Sequence, residues 1–136
     1  MTTVAICVGS RGEMLFGGRR VSRDALLLAD LMRLLRGRLL CRPFSEKYLS
    51  GAGLTPVVSD DPFQIAGEDD IVFWEEPPLA PHLKNIKRVI RYDFDTTYPI
   101  DQTLDIDPFA AGYLLTERRE FAGKAHKNII CEVFEK

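Results

Sequence analysis

Apolar residues along the chain occur in short runs separated by charged and turn-forming residues. The first run, residues 3–8, is apolar at every position after Thr3 and predicts a buried strand. A loop rich in glycine and arginine follows over residues 9–20. Leucines then recur at intervals of three and four residues as far as Leu35. That spacing predicts a helix opened by Ser22 as N-cap, with Asp24 in its first turn.

The remaining runs alternate between strand and helix signals. Strands are predicted at residues 38–43, 55–58, 70–74 and 87–94, and short helices at residues 44–49, 60–66 and 79–86. Residues 113–121 and 128–135 predict a closing antiparallel hairpin. This order predicts one three-layer α/β domain over residues 1–136, with a mostly parallel central sheet and a C-terminal antiparallel hairpin. Strand 4–8 is expected to lie centrally beside strand 70–74, because both are apolar on both faces.

Composition narrows the classes of partner and cofactor. The net charge of −2 gives no argument for a nucleic-acid or membrane partner. No apolar run reaches the ~18 residues of a membrane span, and no signal peptide is evident, so a cytoplasmic protein is expected. The cysteines Cys7, Cys41 and Cys131 predict buried free thiols. With only His82 and His126, a histidine-rich metal cluster is excluded and no metal is expected.

Asp24 is the first candidate for chemistry, because it follows a glycine-rich loop in the first turn of a helix. We expect it to line a pocket roofed by residues 9–20 and walled by Leu27, Leu28 or Trp74. Desolvation would then raise its pKa unless an arginine pairs with it. The alternative is a helix-start acid favoured by the helix dipole.

Charged and aromatic residues elsewhere give weaker signals. The arginines that flank Asp24 are suited to bind phosphate or carboxylate, or to remain solvated; they are Arg11, Arg19, Arg20 and Arg23. Glu75 and Glu76 suit a paired general acid and base, but a helix start is favoured because prolines follow. Trp74 fits a core or a pocket wall equally well. His126, in a hairpin turn, is expected to be exposed and inert, and no Ser-His-Asp or Cys-His order stands out.

Several segments, taken in order, match one known family. They are the strand, loop and acid-bearing helix of residues 3–35, the strand and turn of residues 38–46, the strand, helix and strand of residues 70–92, the element Asp95-Thr96-Thr97-Tyr98-Pro99, and the hairpin segments 117–121 and 131–136. In these respects the chain resembles dihydrofolate reductase over most of its length. The order of these segments along the chain carries the resemblance.

The resemblance implies an oxidoreductase with NADPH as cofactor and a pterin-like heterocycle as substrate. Asp24 would be the acid that binds the pterin ring and supports its protonation. The substrate would contact Val8, Leu28, Trp74, Arg19 and Arg20. The cofactor would contact Arg42, Phe44, Ser45, Glu75 and Glu76.

The chain departs from the family at two places. Where the family has a Gly-Gly pair beside the cofactor diphosphate, this chain has Glu75-Glu76. Two carboxylates there would repel a diphosphate, so we predict weak or absent NADPH binding. The central section is also shorter, and no arginine occurs between Arg42 and Arg88 to hold the glutamate tail of a folate.

Two functions therefore remain open. The first is a small reductase or a binder of a pterin- or nucleotide-like molecule, with Asp24 as the polar anchor and a weakened NADPH site. The second is a non-catalytic protein of the same fold that binds a protein or anionic partner. Asp24 favours the first, and the Glu75-Glu76 pair with the short middle section favours the second. The sequence predicts neither the substrate nor the oligomeric state.

Overall fold

A seven-stranded sheet forms the centre of the molecule, which a computed structural model describes over residues 1–136. The elements are, in chain order, β1 (Thr2–Val8), β2 (Glu13–Phe16), β3 (Arg19–Arg20), α1 (Ala25–Leu34), β4 (Leu39–Cys41), α2 (Pro43–Gly51), β5 (Val57–Val58), α3 (Pro62–Ile65), β6 (Ile71–Phe73), a 3₁₀ helix (Ala80–Asn85), β7 (Ile86–Asp93), β8 (Gln102–Thr103), β9 (Leu114–Phe121) and β10 (Ile129–Glu135). The strand order in the main sheet is β5-β4-β6-β1-β7-β10-β9.

Strand β1 lies in the middle of this sheet, parallel to β6 on one side and to β7 on the other. Strand β10 pairs antiparallel with β7 and with β9, and β9 forms one edge. The predicted α/β class, the central first strand and the terminal hairpin are all confirmed.

Both faces of the sheet are covered, so the central strands are apolar at successive positions. On one face Ala5 and Phe73 pack beneath α1 and α2, against a cluster that includes Leu27 and Leu31. On the other face Val4 and Ile6 belong to a second cluster, which includes Met14 and Leu15 of β2, Phe63 of α3 and Leu79.

The segment between β1 and α1 is more ordered than a loop. Strands β2 and β3 pair as a hairpin, and β8 adds to β2 to give a second, three-stranded sheet. Met14 and Leu15 are buried, as expected for a segment that folds back on the core, but Phe16 is exposed. The sequence did not predict β8, because a two-residue strand in a stretch rich in Pro and Asp shows no periodicity.

Helix α1 begins later than predicted. Its N-cap is Asp24 and not Ser22, and it ends at Leu34. The segment predicted as a helix at residues 79–86 is a 3₁₀ helix that begins at Ala80. Glu75 and Glu76 therefore do not start a helix, contrary to the favoured interpretation.

Cys41 and Cys131 are buried, Cys7 is half-buried, and all three are free thiols. Burial raises the pKa of the Cys41 and Cys131 thiols to about 11, so both stay protonated at neutral pH. None of the helices is both long and apolar enough to cross a bilayer.

The packing of α1 on the sheet gives the first testable prediction. Replacing the fully buried Leu31 with alanine is expected to lower the free energy of unfolding by about 2–5 kcal/mol, because a cavity remains. Leu26 lies on the same helix but is 46% exposed, so Leu26→Ala is the matched control, with an expected change within about 0.5 kcal/mol. Urea denaturation of the two variants measures the difference, and equal losses would show that α1 does not pack as described.

Candidate functional site

The N-terminus of α1 is capped by the Asp24 carboxylate. Its Oδ1 accepts hydrogen bonds from the backbone N–H groups of Leu26 at 2.9 Å and Leu27 at 3.4 Å. Aspartate is a favoured N-cap, because its oxygens satisfy backbone donors that have no helical partner. Asp24 is itself buried.

The same carboxylate holds the loop of residues 122–128, which joins β9 to β10. The backbone N–H groups of Lys124 and Ala125 donate to Oδ1 and Oδ2 at 3.0 and 2.8 Å. His126 Nδ1 lies 2.8 Å from Oδ2. Gly123 allows this approach, because a Cβ there would stand only 2.5 Å from Asp24 Oδ2. The carboxylate therefore joins the first helix to the last hairpin.

These contacts decide the charge of Asp24. Burial acts to raise its pKa, but hydrogen bonds from His126 and the backbone N–H groups outweigh burial and lower the pKa to about 2. The sequence predicted that Asp24 would have either a raised pKa or an arginine as its partner. Neither occurs, because the partners are a histidine and backbone amides that follow it by about 100 residues in the chain.

The prediction that His126 is exposed is wrong. Its side chain is 7% exposed and stacks on the Phe94 ring, with centroids 4.6 Å apart. Its Nε2 lies 2.8 Å from the Ser22 hydroxyl and 3.1 Å from the Tyr98 hydroxyl. Both ring nitrogens therefore have protein partners.

A cleft of about 1070 Å³ lies beside Asp24, between α1 and α2. Leu28 of α1 and the rings of Phe44 and Tyr48 on α2 contribute apolar and aromatic surface. The end of the loop that precedes α1 borders the cleft at Arg19 and Arg20. Of residues 9–20, which were predicted to roof the pocket, only the last three border the cleft.

Five cationic side chains line the cleft, namely Arg19, Arg20, Arg23, Lys47 and Lys124. Of these, only Arg20 has a carboxylate within ion-pair distance. The one acidic residue in the lining is Asp24, whose oxygens are already hydrogen-bonded. The cleft therefore carries a surplus of positive charge.

Arg20 is fixed at the cleft wall by Glu75. Its Nε and a terminal nitrogen donate to the two Glu75 oxygens at 2.8 and 3.0 Å, and the Ser45 hydroxyl donates to Glu75 Oε1 at 2.7 Å. The guanidinium also lies over the rings of Tyr48 and Phe44, 4.4 and 5.1 Å from their centroids. The buried Glu75 carboxylate therefore takes its partners from Arg20 of β3 and from Ser45 of α2.

On the other face of the sheet, Trp74 packs against Phe63 and His82, whose ring centroids lie 5.1 and 4.9 Å from its own. The Trp74 indole N–H has no hydrogen-bond partner, and neither has Arg42 Nε. Arg42 Nε lies 3.8 Å from Glu76 Oε1, which is ion-pair distance without a hydrogen bond. Trp74 is therefore a core residue and does not wall the cleft beside Asp24, contrary to expectation.

Comparison with known proteins reveals the fold. No model of a protein family matches the chain, and no curated protein matches it. Among solved structures, the chain is similar to dihydrofolate reductase from Enterococcus faecalis complexed with NADP(H) and RAB-propyl. The TM-score is 0.67 at 9% identity, over 98% of this chain and 95% of that chain. The chain has the dihydrofolate reductase fold.

Within this fold the residues assigned by resemblance fall into separate places. The cleft gathers Asp24, Arg19, Arg20, Leu28 and Phe44. Ser45 and Glu75 lie behind the cleft wall, in contact with Arg20 or with each other. Val8 and Trp74 lie in the core on the opposite face of the sheet. The Arg42 guanidinium lies near the Trp74 ring and within ion-pair distance of Glu76.

Sequence reasoning missed three contributors to the site. Lys47 and Tyr48 face the cleft from α2, and Lys124 reaches it from the far end of the chain. Adjacent Lys and Tyr residues are common on short helices, so nothing in the local sequence indicated that these two residues line a site. For the 122–128 loop, the glycine at position 123 was a signal, since glycine allows a backbone to approach another group closely.

The Asp24 contacts generate a second prediction. In Asp24→Asn, an amide NH₂ replaces one oxygen and faces donors, so the free energy of unfolding is expected to fall by about 2–3 kcal/mol at pH 7. The low pKa of Asp24 stabilises the fold above about pH 4, and this contribution is lost as the pH falls toward 2. Denaturation curves should therefore converge for the two proteins at acid pH. A difference that stays constant from pH 7 to pH 2.5 would contradict the assigned contacts.

Proposed function

We propose that the chain binds a flat, negatively charged small molecule of the nucleotide or pterin class in the cleft between α1 and α2. The observation that carries this proposal is the placement of four cations without carboxylate partners around aromatic surface. Arginine and lysine bind phosphate and carboxylate groups, while aromatic rings and guanidinium planes stack on heterocycles.

The size and shape of the cleft support the same class of ligand. A cleft of about 1070 Å³ is at the upper end of the range for small-molecule sites. Its apolar side is formed by Leu28 and the rings of Phe44 and Tyr48, and its cations stand around that surface. The neighbouring dihydrofolate reductase was solved with NADP(H), an anionic nucleotide, which favours a ligand of this kind for the fold.

The residues that follow the strand ending in Phe73 disfavour NADPH itself as the ligand. Arg20 is engaged bidentately by Glu75, and Arg42 is shared with Glu76. Glu75 therefore neutralises Arg20, and Glu76 adds a second carboxylate that would repel a diphosphate. This supports a protein that keeps an anionic ligand in the cleft but has lost the cofactor contacts of a reductase.

A ligand screen tests the proposal. Thermal shift followed by calorimetry with folate, dihydrofolate, GTP, ATP and FMN is expected to find one or more binders, with affinity that falls as salt rises. The double variant Arg23→Ala, Lys124→Ala should weaken binding about tenfold or more, since each lost charge contact is worth of the order of 1 kcal/mol.

The matched control for this double variant is Lys84→Ala. Lys84 is an exposed lysine of the 3₁₀ helix, outside the cleft, so its removal should leave the affinity unchanged. Equal weakening by Lys84→Ala would show that binding is a non-specific effect of charge. Failure of every anionic heterocycle to bind would refute the proposal.

NADPH titration provides a separate prediction. Weak or absent binding is expected for the native chain, because Glu75 and Glu76 hold the nearby arginines. Glu75→Gln removes one charge and releases Arg20, so it should strengthen NADPH binding, whereas Glu46→Gln on the exposed side of α2 should not. A dissociation constant in the low micromolar range for the native chain, with hydride transfer to dihydrofolate, would instead establish a reductase.

A further inference from the structure

Ser22, His126 and Asp24 form an unbroken chain of hydrogen bonds. The Ser22 hydroxyl lies 2.8 Å from His126 Nε2, and His126 Nδ1 lies 2.8 Å from Asp24 Oδ2. An ionised carboxylate only accepts hydrogen bonds, so Nδ1 carries the proton and Nε2 is left to accept one from a hydroxyl. This is the order of contacts in a nucleophile, base and orienting acid.

The imidazole is held in that orientation by its surroundings. Phe94 stacks on one face at 4.6 Å, and the four backbone N–H groups that bind Asp24 fix the carboxylate. The Tyr98 hydroxyl is a second neighbour of Nε2, but at 3.1 Å it is farther away than Ser22. A positioned base of this kind raises the nucleophilicity of the hydroxyl beside it.

Space and free donors are present next to Ser22. Ser22 is only partly buried, and its neighbours Arg23 and Asp24 border the cleft. His126 and Tyr98 border a second hollow, of about 470 Å³. The backbone N–H groups of Ser22 and Arg23 donate to no acceptor in the chain.

We propose that Ser22 is the nucleophile of an acyl-transfer site that hydrolyses carboxylic esters bearing a negative charge. His126 acts as the general base, and Asp24 is a positioning residue that acts through it. Arg23, Lys124 and Lys127 supply the charge preference, since they border the cleft or the hollow beside the triad and have no carboxylate partner. This activity goes beyond ligand binding in the cleft and does not depend on it.

The reaction needs only water as co-reactant. Ser22 Oγ attacks the ester carbonyl carbon, forming an O–C bond while its proton passes to His126 Nε2. The tetrahedral intermediate expels the alcohol, which takes that proton, and an acyl group remains on Ser22. Water then attacks the acyl carbon and gives a proton to Nε2. The bond to Oγ breaks, Oγ recovers the proton, and the carboxylic acid leaves.

Covalent labelling of the full chain is the direct test. A fluorophosphonate probe modifies serine hydroxyls that a base activates, and mass spectrometry maps the adduct. One adduct is expected, on Ser22, abolished by Ser22→Ala and slowed about 100-fold or more by His126→Gln. Ser10→Ala is the matched control, because the Ser10 hydroxyl pairs with Thr97 and with no base.

Labelling of the native chain is enough to test whether Ser22 is the nucleophile, even if a variant fails to fold. Absence of a Ser22 adduct, or labelling of Ser10 at the same rate, would overturn the proposal. A failed ligand screen would leave this labelling unaffected, so the two proposals can fail separately.

Ester hydrolysis tests the substrate class and the role of Asp24. The mono-4-nitrophenyl ester of succinate is expected to react with a higher kcat/KM than 4-nitrophenyl acetate, by about tenfold at low salt. Arg23→Ala with Lys124→Ala should remove that preference. Asp24→Asn, corrected for folded fraction, should lower kcat with KM within about twofold. Equal rates for the two esters would refute the charge preference, and an unchanged kcat would refute the positioning role.

Discussion

The buried carboxylate of Asp24 is the contact on which the arrangement of the site depends. It accepts hydrogen bonds from the start of α1 and from the 122–128 loop, and it remains ionised because those donors outweigh the cost of burial. Without it the loop would lose its attachment to the helix, and Lys124 would no longer be held at the cleft. The position of His126, and hence of its contact with Ser22, follows from the same carboxylate.

Most of the fold could be predicted from the sequence because hydrophobic periodicity is a local signal. The apolar runs that became β1 and β6 must be covered on both faces, which places them centrally in a sheet. Helix boundaries were less certain, because Ser22 and Asp24 are both good N-caps and only the tertiary contacts of Asp24 decide between them. The short strands β3 and β8 have too few residues to carry a pattern.

The site was only partly predictable, since its pairings join residues far apart in the chain. Arg20 meets Glu75 across 55 positions, and Asp24 meets His126 across 102. The sequence identified Asp24, Arg20 and Glu75 as notable but assigned the glutamate to repel a ligand, whereas it binds an arginine. A single histidine in a turn gives no sign of the carboxylate and hydroxyl that the fold brings to its two nitrogens.

The attachment of the 122–128 loop to Asp24 also has a consequence for biosynthesis. Chains fold while they emerge from the ribosome, and β1, α1 and α2 are made long before the loop. Until residues 124–126 appear, the start of α1 is capped only by its own aspartate, and the cleft lacks one wall. The nascent protein can therefore assemble much of its parallel sheet before it has any complete site. Maturation of the site waits for the last hairpin, because the contacts of its loop with Asp24 join residues about 100 positions apart.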